Sequence, residues 1–507
     1  MNLTAARVLA KAGVLRPIRP DRLVGMGLQL ARWGVTPAAG YAVGAAAHPD
    51  RLAIIDDDGE LTYRQVDERT DRLAGELRAR GVQAGDAVGL LARNGRGFLE
   101  ALVAASKCGA DVLLLNTGSA AEQLTQVLRR EKAVAVVHDH ELGGLVEESA
   151  TDVRITTEEL EELAESSAAV APPKSGHKTR LVILTSGTTG APRGAARSGA
   201  SLDDAVSVLS RIPLRAGERT LISSPLFHAW GLGQLSMALV LGSTVVLQRR
   251  FEPERVLAGI EQHRPTGLVV VPVMLDRLLE ADVSRYDTSS LRVIASSGSA
   301  LPGDLATRVL ESFGPVLYNL YGSTEVAYVA VATPEDLAAD PRTAGKAPWG
   351  VRLRVVDEAG NDCPPGTDGR LFAGSGLTFE GYTDGSDKDR MDGLVATGDR
   401  GVLSADGRLT VLGRDDDMVV IGGENVFTGQ VEDALLSHPR VQDAAVTSED
   451  DPTYGTRLVA HVVAEADADE LKAWVRDRLA RFAVPREFRF LDELPRNATG
   501  KVLKQAL

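Results

Sequence analysis

The chain reads as an α/β protein. It should have a large N-terminal domain of parallel or mixed sheets covered by helices, a small antiparallel subdomain, and a small mobile α+β C-terminal domain. Three observations predict this. Short β-branched and apolar runs alternate with amphipathic helical stretches from Leu61 to Val271, the pattern of parallel strands with crossover helices. From Val351 to Thr410 the pattern becomes short strands between Gly, Asp and Pro turns. After Gly413 a separate unit opens that is large enough for a small domain on a hinge. The expected boundaries are 1–412 for the N-terminal domain, 413–417 for the hinge and 418–507 for the C-terminal domain.

Leu61-Thr-Tyr63 should be a strand entering a helix over Val66–Arg80, with Val66, Leu73 and Leu77 inward and Gly81 past its end. Strands follow at Ala87–Leu91, Asp111–Leu115 and Ala133–Val137, with helices at Phe98–Cys108 and Ala121–Arg130. The acidic, then Ala/Ser/Pro-rich run from Glu158 to Lys178 is expected to be a surface excursion leading to the next strand, Leu181–Leu184. Helices near Leu202–Ile212, Gly233–Leu241 and Glu252–Gln262 alternate with strands at Leu221–Ser223, Thr244–Leu247 and Gly267–Val271. In the last unit a helix near Gln430–Ser437, strands near Ala444 and Leu458–Val463, and a helix over Ala468–Leu479 are expected.

At 507 residues and 44% hydrophobic, the chain can build more than one core. A net charge of −14 leaves no basic stripe to neutralise a phosphate backbone, which excludes a nucleic-acid partner. Cys108 and Cys363 are too few for a disulfide framework or a thiolate metal site. Residues 1–34 mix apolar side chains with Arg7, Lys11, Arg16, Arg19, Arg22 and Arg32 and carry no secretory signal. They should form a helical leader packed on its own domain, the alternative being a basic amphipathic helix pair touching a membrane surface. No window has the ~18 uninterrupted apolar residues of a membrane span, so a cytoplasmic location is expected.

Thr185-Ser-Gly-Thr-Thr-Gly-Ala-Pro-Arg-Gly194 follows the strand Leu181–Leu184. Its glycines let backbone N–H groups turn toward an anion, and Thr185, Ser186, Thr188 and Thr189 add hydroxyls. It is not a Walker loop, because no Gly-Lys-Ser/Thr closes the run and opens a helix. Composition alone leaves a phosphate cradle and a flexible polar connector equally open.

The run resembles the phosphate loop of the adenylate-forming superfamily, which includes acyl-CoA and aryl-CoA synthetases. The usual form ends Pro-Lys-Gly, whereas this chain has Arg193. Further motifs follow in the family's order. Ser224-Pro-Leu-Phe-His-Ala-Trp-Gly231 resembles the substrate gate, which implies that His228 and Trp230 line the acid tunnel and that His228 takes part at the reacting centre. Ser297-Gly298-Ser299-Ala300-Leu301 resembles the adenine-side loop, and Tyr318-Asn319-Leu-Tyr321-Gly322-Ser-Thr324-Glu325 the motif beside it. The resemblance makes Asn319 a nucleotide contact, Tyr321 the base platform, Thr324 a phosphate hydroxyl and Glu325 the Mg²⁺ ligand. Gly298 and Gly322 would border the acid.

Thr397-Gly-Asp399 and Gly413-Arg414 resemble the ribose-binding pair, with Asp399 accepting from both hydroxyls and Arg414 donating. Asp416 matches the hinge, Gly422 and Gly423 the loop near pantetheine, and Lys501 the terminal lysine that reaches the carboxylate and α-phosphate. Within the phosphate loop Thr185, Ser186, Gly187, Thr188, Thr189, Gly190 and Arg193 would bind the nucleotide.

The resemblance implies a two-step ligation using ATP, Mg²⁺ and CoA, in which a small-molecule carboxylic acid becomes an acyl-adenylate and then a thioester. The overall look is nearest to bacterial fatty acyl-CoA synthetases, with an aryl acid as the other substrate class. One alternative is stand-alone loading of a carrier protein in trans, or of another acceptor. Another is a nucleotide-binding relative without turnover, suggested by Arg193, Ala483 and Thr428 where relatives often carry lysine, lysine and proline. Amino-acid adenylation is disfavoured, because His228 follows Phe227 where an aspartate would hold the α-ammonium.

Overall fold

The computed structural model describes residues 3–149, 151–170, 176–185, 193–197, 202–415, 418–421, 424–451, 455–496 and 502–507. Two large sheets organise the N-terminal part. One has six strands in the spatial order Val153–Thr156, Ala133–His138, Ala87–Leu91, Asp111–Leu114, Leu181–Thr185, Arg193–Arg197. All its pairs are parallel except the last, a hairpin with Thr185 opposite Arg193. The other has eight strands, in the order Ala330–Ala332, Leu317–Tyr321, Val293–Ser296, Gly267–Val270, Arg219–Ile222, Thr244–Leu247, Leu52–Asp56, Gly59–Thr62. It is parallel through the middle and antiparallel at both edges.

The two sheets share one apolar core. Val88, Leu90, Val112 and Val137 of the first and Ile54, Ile222, Val245 and Val269 of the second belong to a single cluster with helices Tyr63–Ala79 and Arg96–Cys108. Strands covered on both faces explain the near-continuous Val/Leu/Ile runs. Helix Arg96–Cys108 is buried almost all round, so Leu99, Leu102 and Val103 each contribute about 1.5–3 kcal/mol of burial. It stops at Gly109, whose φ of 72° is the left-handed conformation that ends helices. Helix Tyr63–Ala79 starts on a capping box in which the Gln65 amide donates to Thr62 Oγ1 and the Thr62 amide to Gln65 Oε1.

The expected antiparallel subdomain is present. Strands Arg352–Val356, Asp368–Gly374, Leu394–Leu403 and Leu409–Arg414 form it, with Arg390–Met391 on its edge. The last unit has hairpin Met418–Ile421/Glu424–Phe427, helix Thr428–Leu436, long antiparallel strands Val441–Asp451 and Gly455–Ala464, helix Ala468–Arg478 and a parallel strand Glu487–Phe490. Its core of Val431, Leu435, Val446, Leu458, Val462, Leu471 and Val475 is its own.

Two stretches depart from the sequence reading. The acidic excursion contains a helix, Thr157–Ser166, capped by Thr156 and anchored by buried Leu160 and Ala164. Helix Pro37–Ala47 is unforeshadowed, because its apolar side chains, all small except Tyr41 and Val43, give no one-sided period. The N-terminal leader forms helices Leu3–Lys11 and Pro20–Trp33. Among the described residues no helix is long and apolar enough to cross a membrane.

Candidate nucleotide and acid site

The carboxyl ends of the parallel strands in the eight-stranded sheet converge on one region, where ligands bind in open α/β sheets. Strand Val293–Ser296 runs into Ser297–Ala300, and its neighbour Leu317–Tyr321 into Gly322–Glu325. Ser296 stands opposite Asn319 in that register. Ser296 Oγ and Asn319 Oδ1 are both sealed from solvent and find no hydrogen-bond partner among the described residues. Buried polar groups without partners cost about 1–3 kcal/mol each, so such a pair at a strand end calls for an explanation beyond packing. Ser223 Oγ, Ser224 Oγ and His228 Nε2, at the end of the nearby strand Arg219–Ile222, are in the same condition.

The loop 322–328 is tightly wound. A Cβ on Gly322 would stand 2.0 Å from the Ala327 carbonyl oxygen, and Ala327 itself holds φ 71°. Only glycine fits the first position, and the second is strained backbone at the edge of the site. This winding turns Glu325 inward, where it is 9% exposed. The Tyr382 hydroxyl donates to Glu325 Oε1 at 2.5 Å, and the Phe379 amide donates to its carbonyl. Burial first, then this bond to Glu325, raises the Tyr382 phenol above its ordinary range.

Tyr382 also meets the hairpin strand that follows the expected phosphate loop. It bridges to Ala195, the Thr383 amide donates to the Gly194 carbonyl, and the Arg193 guanidinium lies 5.7 Å from the Tyr382 ring centroid. Arg193 Nε approaches Asp384 Oδ2 at 3.6 Å. The segment around Tyr382 therefore brings the unusual arginine over the ring, and the expected Mg²⁺ ligand to the hydroxyl, of one aromatic side chain. Arg193 opens a strand, which agrees with the exclusion of a Walker loop. Residues 186–190 lie outside the described residues, as does the Thr185 side chain.

Asp399 and Arg414 face each other in register on neighbouring strands of the small sheet, with Arg414 Nη1 3.7 Å from Asp399 Oδ1. Gly398, at φ 83°, lets the guanidinium lie across the backbone, since a Cβ there would stand 3.0 Å from Arg414 Nη1. The Tyr321 hydroxyl donates to Asp399 Oδ2, joining this sheet to the large one. Burial, followed by the adjacent carboxylate, holds the Tyr321 phenol well above its ordinary range. Thr324 is half-buried beside Glu325. Asp416, Gly422, Gly423 and Lys501 lie outside the described residues.

The gate stretch is pinned by a residue that sequence reading passed over. Asn94, 7% exposed, leaves the six-stranded sheet and donates from Nδ2 to the Ile222 and Ser224 carbonyls, while the Leu226 amide donates to its Oδ1. Its only sequence signal is an asparagine just after an apolar strand. Asn94→Ala is expected to lower the stability of the N-terminal domain by about 2–4 kcal/mol, read as the midpoint of urea unfolding. A wild-type midpoint would contradict the pinning.

His228 occupies the N-cap position of helix Ala229–Val240 without a side-chain capping bond, and its ring is tilted at 49° to that of Phe227 with centroids 4.5 Å apart. Trp230 donates from Nε1 to the Val270 carbonyl and packs against three apolar clusters at once. Burial pushes His228 down to about 4, so the ring is neutral at pH 7. Its folded value lies below that of an unfolded chain, which therefore takes up the proton first as pH falls. Stability tied to His228 is complete above pH ~6.5 and is lost as pH drops toward ~4. The wild type should lose ~3 kcal/mol more than His228→Asn across that window, and parallel stability curves would contradict the buried neutral ring.

Among the described residues no cluster of three or more His, Cys, Asp or Glu could hold a metal. A single buried carboxylate fits Mg²⁺ carried in with nucleotide phosphates, because that ion keeps waters and phosphate oxygens and takes one or two carboxylates.

Comparison with known proteins identifies the family. The AMP-binding enzyme family matches residues 42–383, and the AMP-binding enzyme C-terminal domain matches residues 430–501. The chain belongs to the AMP-binding enzymes. It is 34% identical to 2-succinylbenzoate–CoA ligase of Bacillus licheniformis over 90% of this chain and 97% of that protein. It is 33% identical to feruloyl-CoA synthase of an Amycolatopsis species, over 91% and 96% respectively. The structure of o-succinylbenzoate CoA synthetase from Bacillus subtilis with its acyl-adenylate intermediate superposes with a TM-score of 0.83 at 28% identity, covering 92% of this chain and 97% of that one. The expectation of an AMP-forming acid–thiol ligase that uses ATP, Mg²⁺, CoA and a small-molecule acid therefore holds. The fatty-acid part of that expectation is only partly supported, since both curated relatives are named for aryl acids.

Proposed function

We propose that this enzyme activates a ring-bearing carboxylic acid and delivers it to CoA. The observation that carries the reading is the set of partnerless buried polar atoms, Ser223 Oγ, Ser224 Oγ, His228 Nε2, Ser296 Oγ and Asn319 Oδ1, at the strand ends between the gate and the nucleotide loops. The relatives named for 2-succinylbenzoate and ferulate support an aryl acid. So does the Trp230 indole, which is held by its bond to the Val270 carbonyl two residues from a neutral His228.

In this reading Tyr321 lies against adenine, Asn319 contacts it, and Asp399 with Arg414 takes the ribose. Ser297, Gly298, Ser299 and Ala300 border the base and the acid, with Gly322 opposite. Thr185–Gly190, Arg193 and Thr324 donate to the phosphates, and Glu325 holds Mg²⁺. That ion would neutralise charge on the phosphates.

The acid carboxylate oxygen attacks the α-phosphorus, and the bond to pyrophosphate breaks in line. Lys501 stabilises the charge that develops on the carboxylate and α-phosphate. No protein nucleophile takes part. Rotation about the 413–417 hinge at Asp416 then removes Lys501 and brings Gly422 and Gly423 toward the pantetheine arm. The CoA thiolate attacks the carbonyl carbon, AMP leaves, and a thioester results. ATP and CoA are supplied in the cytoplasm, which is where this reading places the enzyme.

The test is CoA-thioester formation across a panel of benzoic, cinnamic, indoleacetic and C6–C16 fatty acids. Ring-bearing acids should give kcat/KM about tenfold or more above any fatty acid. A preference that rises with alkyl chain length would overturn the aryl reading.

A further inference from the structure

Helix Pro20–Trp33 turns its apolar side away from the protein. Leu23, Val24, Leu28 and Leu30 are 58%, 63%, 66% and 50% exposed. At about 100° per residue, these four with Pro20, Gly27 and Ala31 form one continuous outward arc. The opposite side holds the helix firmly. Arg22 donates to the Ala47 carbonyl at 2.9 Å, a Cβ on Gly25 would touch Ala46, and Trp33 is buried. The Arg32 guanidinium lies 4.4 Å from the Trp33 ring centroid and the ammonium of buried Lys107 5.9 Å from it. The usual arrangement, apolar stripe on the core and polar stripe in water, is thus inverted on an anchored helix.

Charge accompanies the inversion. Residues 1–34 carry six basic side chains, Arg7, Lys11, Arg16, Arg19, Arg22 and Arg32, against one acidic, Asp21, in a chain whose net charge is −14. Arg16 and Arg19 are exposed just ahead of the apolar arc, where Leu15 is 52% exposed, and Val35 is 58% exposed just past its other end. An apolar face with basic flanks is the composition of an interfacial helix. A symmetric contact with a second copy would instead bring these arginines toward their own images.

We propose that the outward face of helix Pro20–Trp33 docks the enzyme on an anionic lipid bilayer, with Leu23, Val24, Leu28 and Leu30 among the acyl chains and Arg16 and Arg19 at the headgroups. Attraction to anionic lipid falls off within a Debye length and weakens with salt. Docking depends on no residue of the ligase site and is read without turnover, so it stands or falls separately from the aryl-acid reading.

The experiment is co-sedimentation of the full chain with extruded vesicles, either pure phosphatidylcholine or phosphatidylcholine containing phosphatidylglycerol. The protein should pellet with the anionic vesicles and remain in solution with the neutral ones, and added salt should reduce the bound fraction. The double variant Leu23→Ser/Leu28→Ser, at two exposed positions, should keep the wild-type unfolding midpoint and CoA-thioester rate while its partition falls by roughly tenfold or more. Failure to pellet with anionic vesicles, or equal binding by the double variant, would overturn the proposal. A dimer in sedimentation velocity that the double variant dissolves, without vesicle binding, would assign the face to a second copy and overturn it equally.

Discussion

Glu325→Gln is expected to lower the rate of pyrophosphate release by ~10²-fold or more, with partial recovery at raised Mg²⁺. The substitution keeps an acceptor oxygen for the Tyr382 hydroxyl, which lies 2.5 Å from Oε1, and keeps the backbone bond from Phe379. The loss therefore reports the carboxylate charge rather than a collapse of the loop around Gly322 and Ala327. Nucleotide affinity without Mg²⁺ should stay close to wild type. A near-wild-type rate at limiting Mg²⁺ would remove Glu325 from the metal site.

Lys501→Ala should separate the two half-reactions. Removing one preorganised donor from a charged transition state typically costs about 10²–10³ in rate. That loss should fall on adenylate formation, while thioester formation from supplied acyl-adenylate continues at the wild-type rate. Equal loss in both steps would sink the assigned role. Arg193 is the other cationic side chain expected near the phosphates. The structure gives it an aromatic neighbour, the Tyr382 ring, and a carboxylate neighbour, Asp384. A planar guanidinium suits that setting, whereas an ammonium would keep the charge and lose the fork of donors.

Much of the fold was legible because its signals are local. Strands Ala87–Leu91 and Thr244–Leu247 and helix Ala121–Arg130 lie where apolar periodicity and turn residues put them. Helix Thr157–Ser166 was hidden by its acidic outer face, which outweighed the Leu160/Ala164 spacing and the Thr156 cap. Helix Pro37–Ala47 was hidden by having no polar face at all. The orientation of helix Pro20–Trp33 could not be read from periodicity, because an apolar stripe gives the same pattern whether it faces a core or solvent.

The site shows a similar division. Tyr321, Glu325, Asp399 and Arg414 were expected at the site because each sits in a short ordered motif, and the structure joins Tyr321, Asp399 and Arg414 across two sheets. Tyr382, Asp384 and Asn94 carry no motif of their own. Tyr382 comes from a loop between strands of the small sheet, and Asn94 reaches across from the other large sheet to pin the gate. Contacts of that kind arise only from tertiary packing.

The most direct measurement is acid-dependent exchange of labelled pyrophosphate into ATP with no CoA present. An enzyme that forms a free-standing acyl-adenylate before any thiol arrives should exchange label with a ring-bearing acid, and Lys501→Ala should suppress that exchange. No exchange until CoA is added would contradict adenylation as a separate first step.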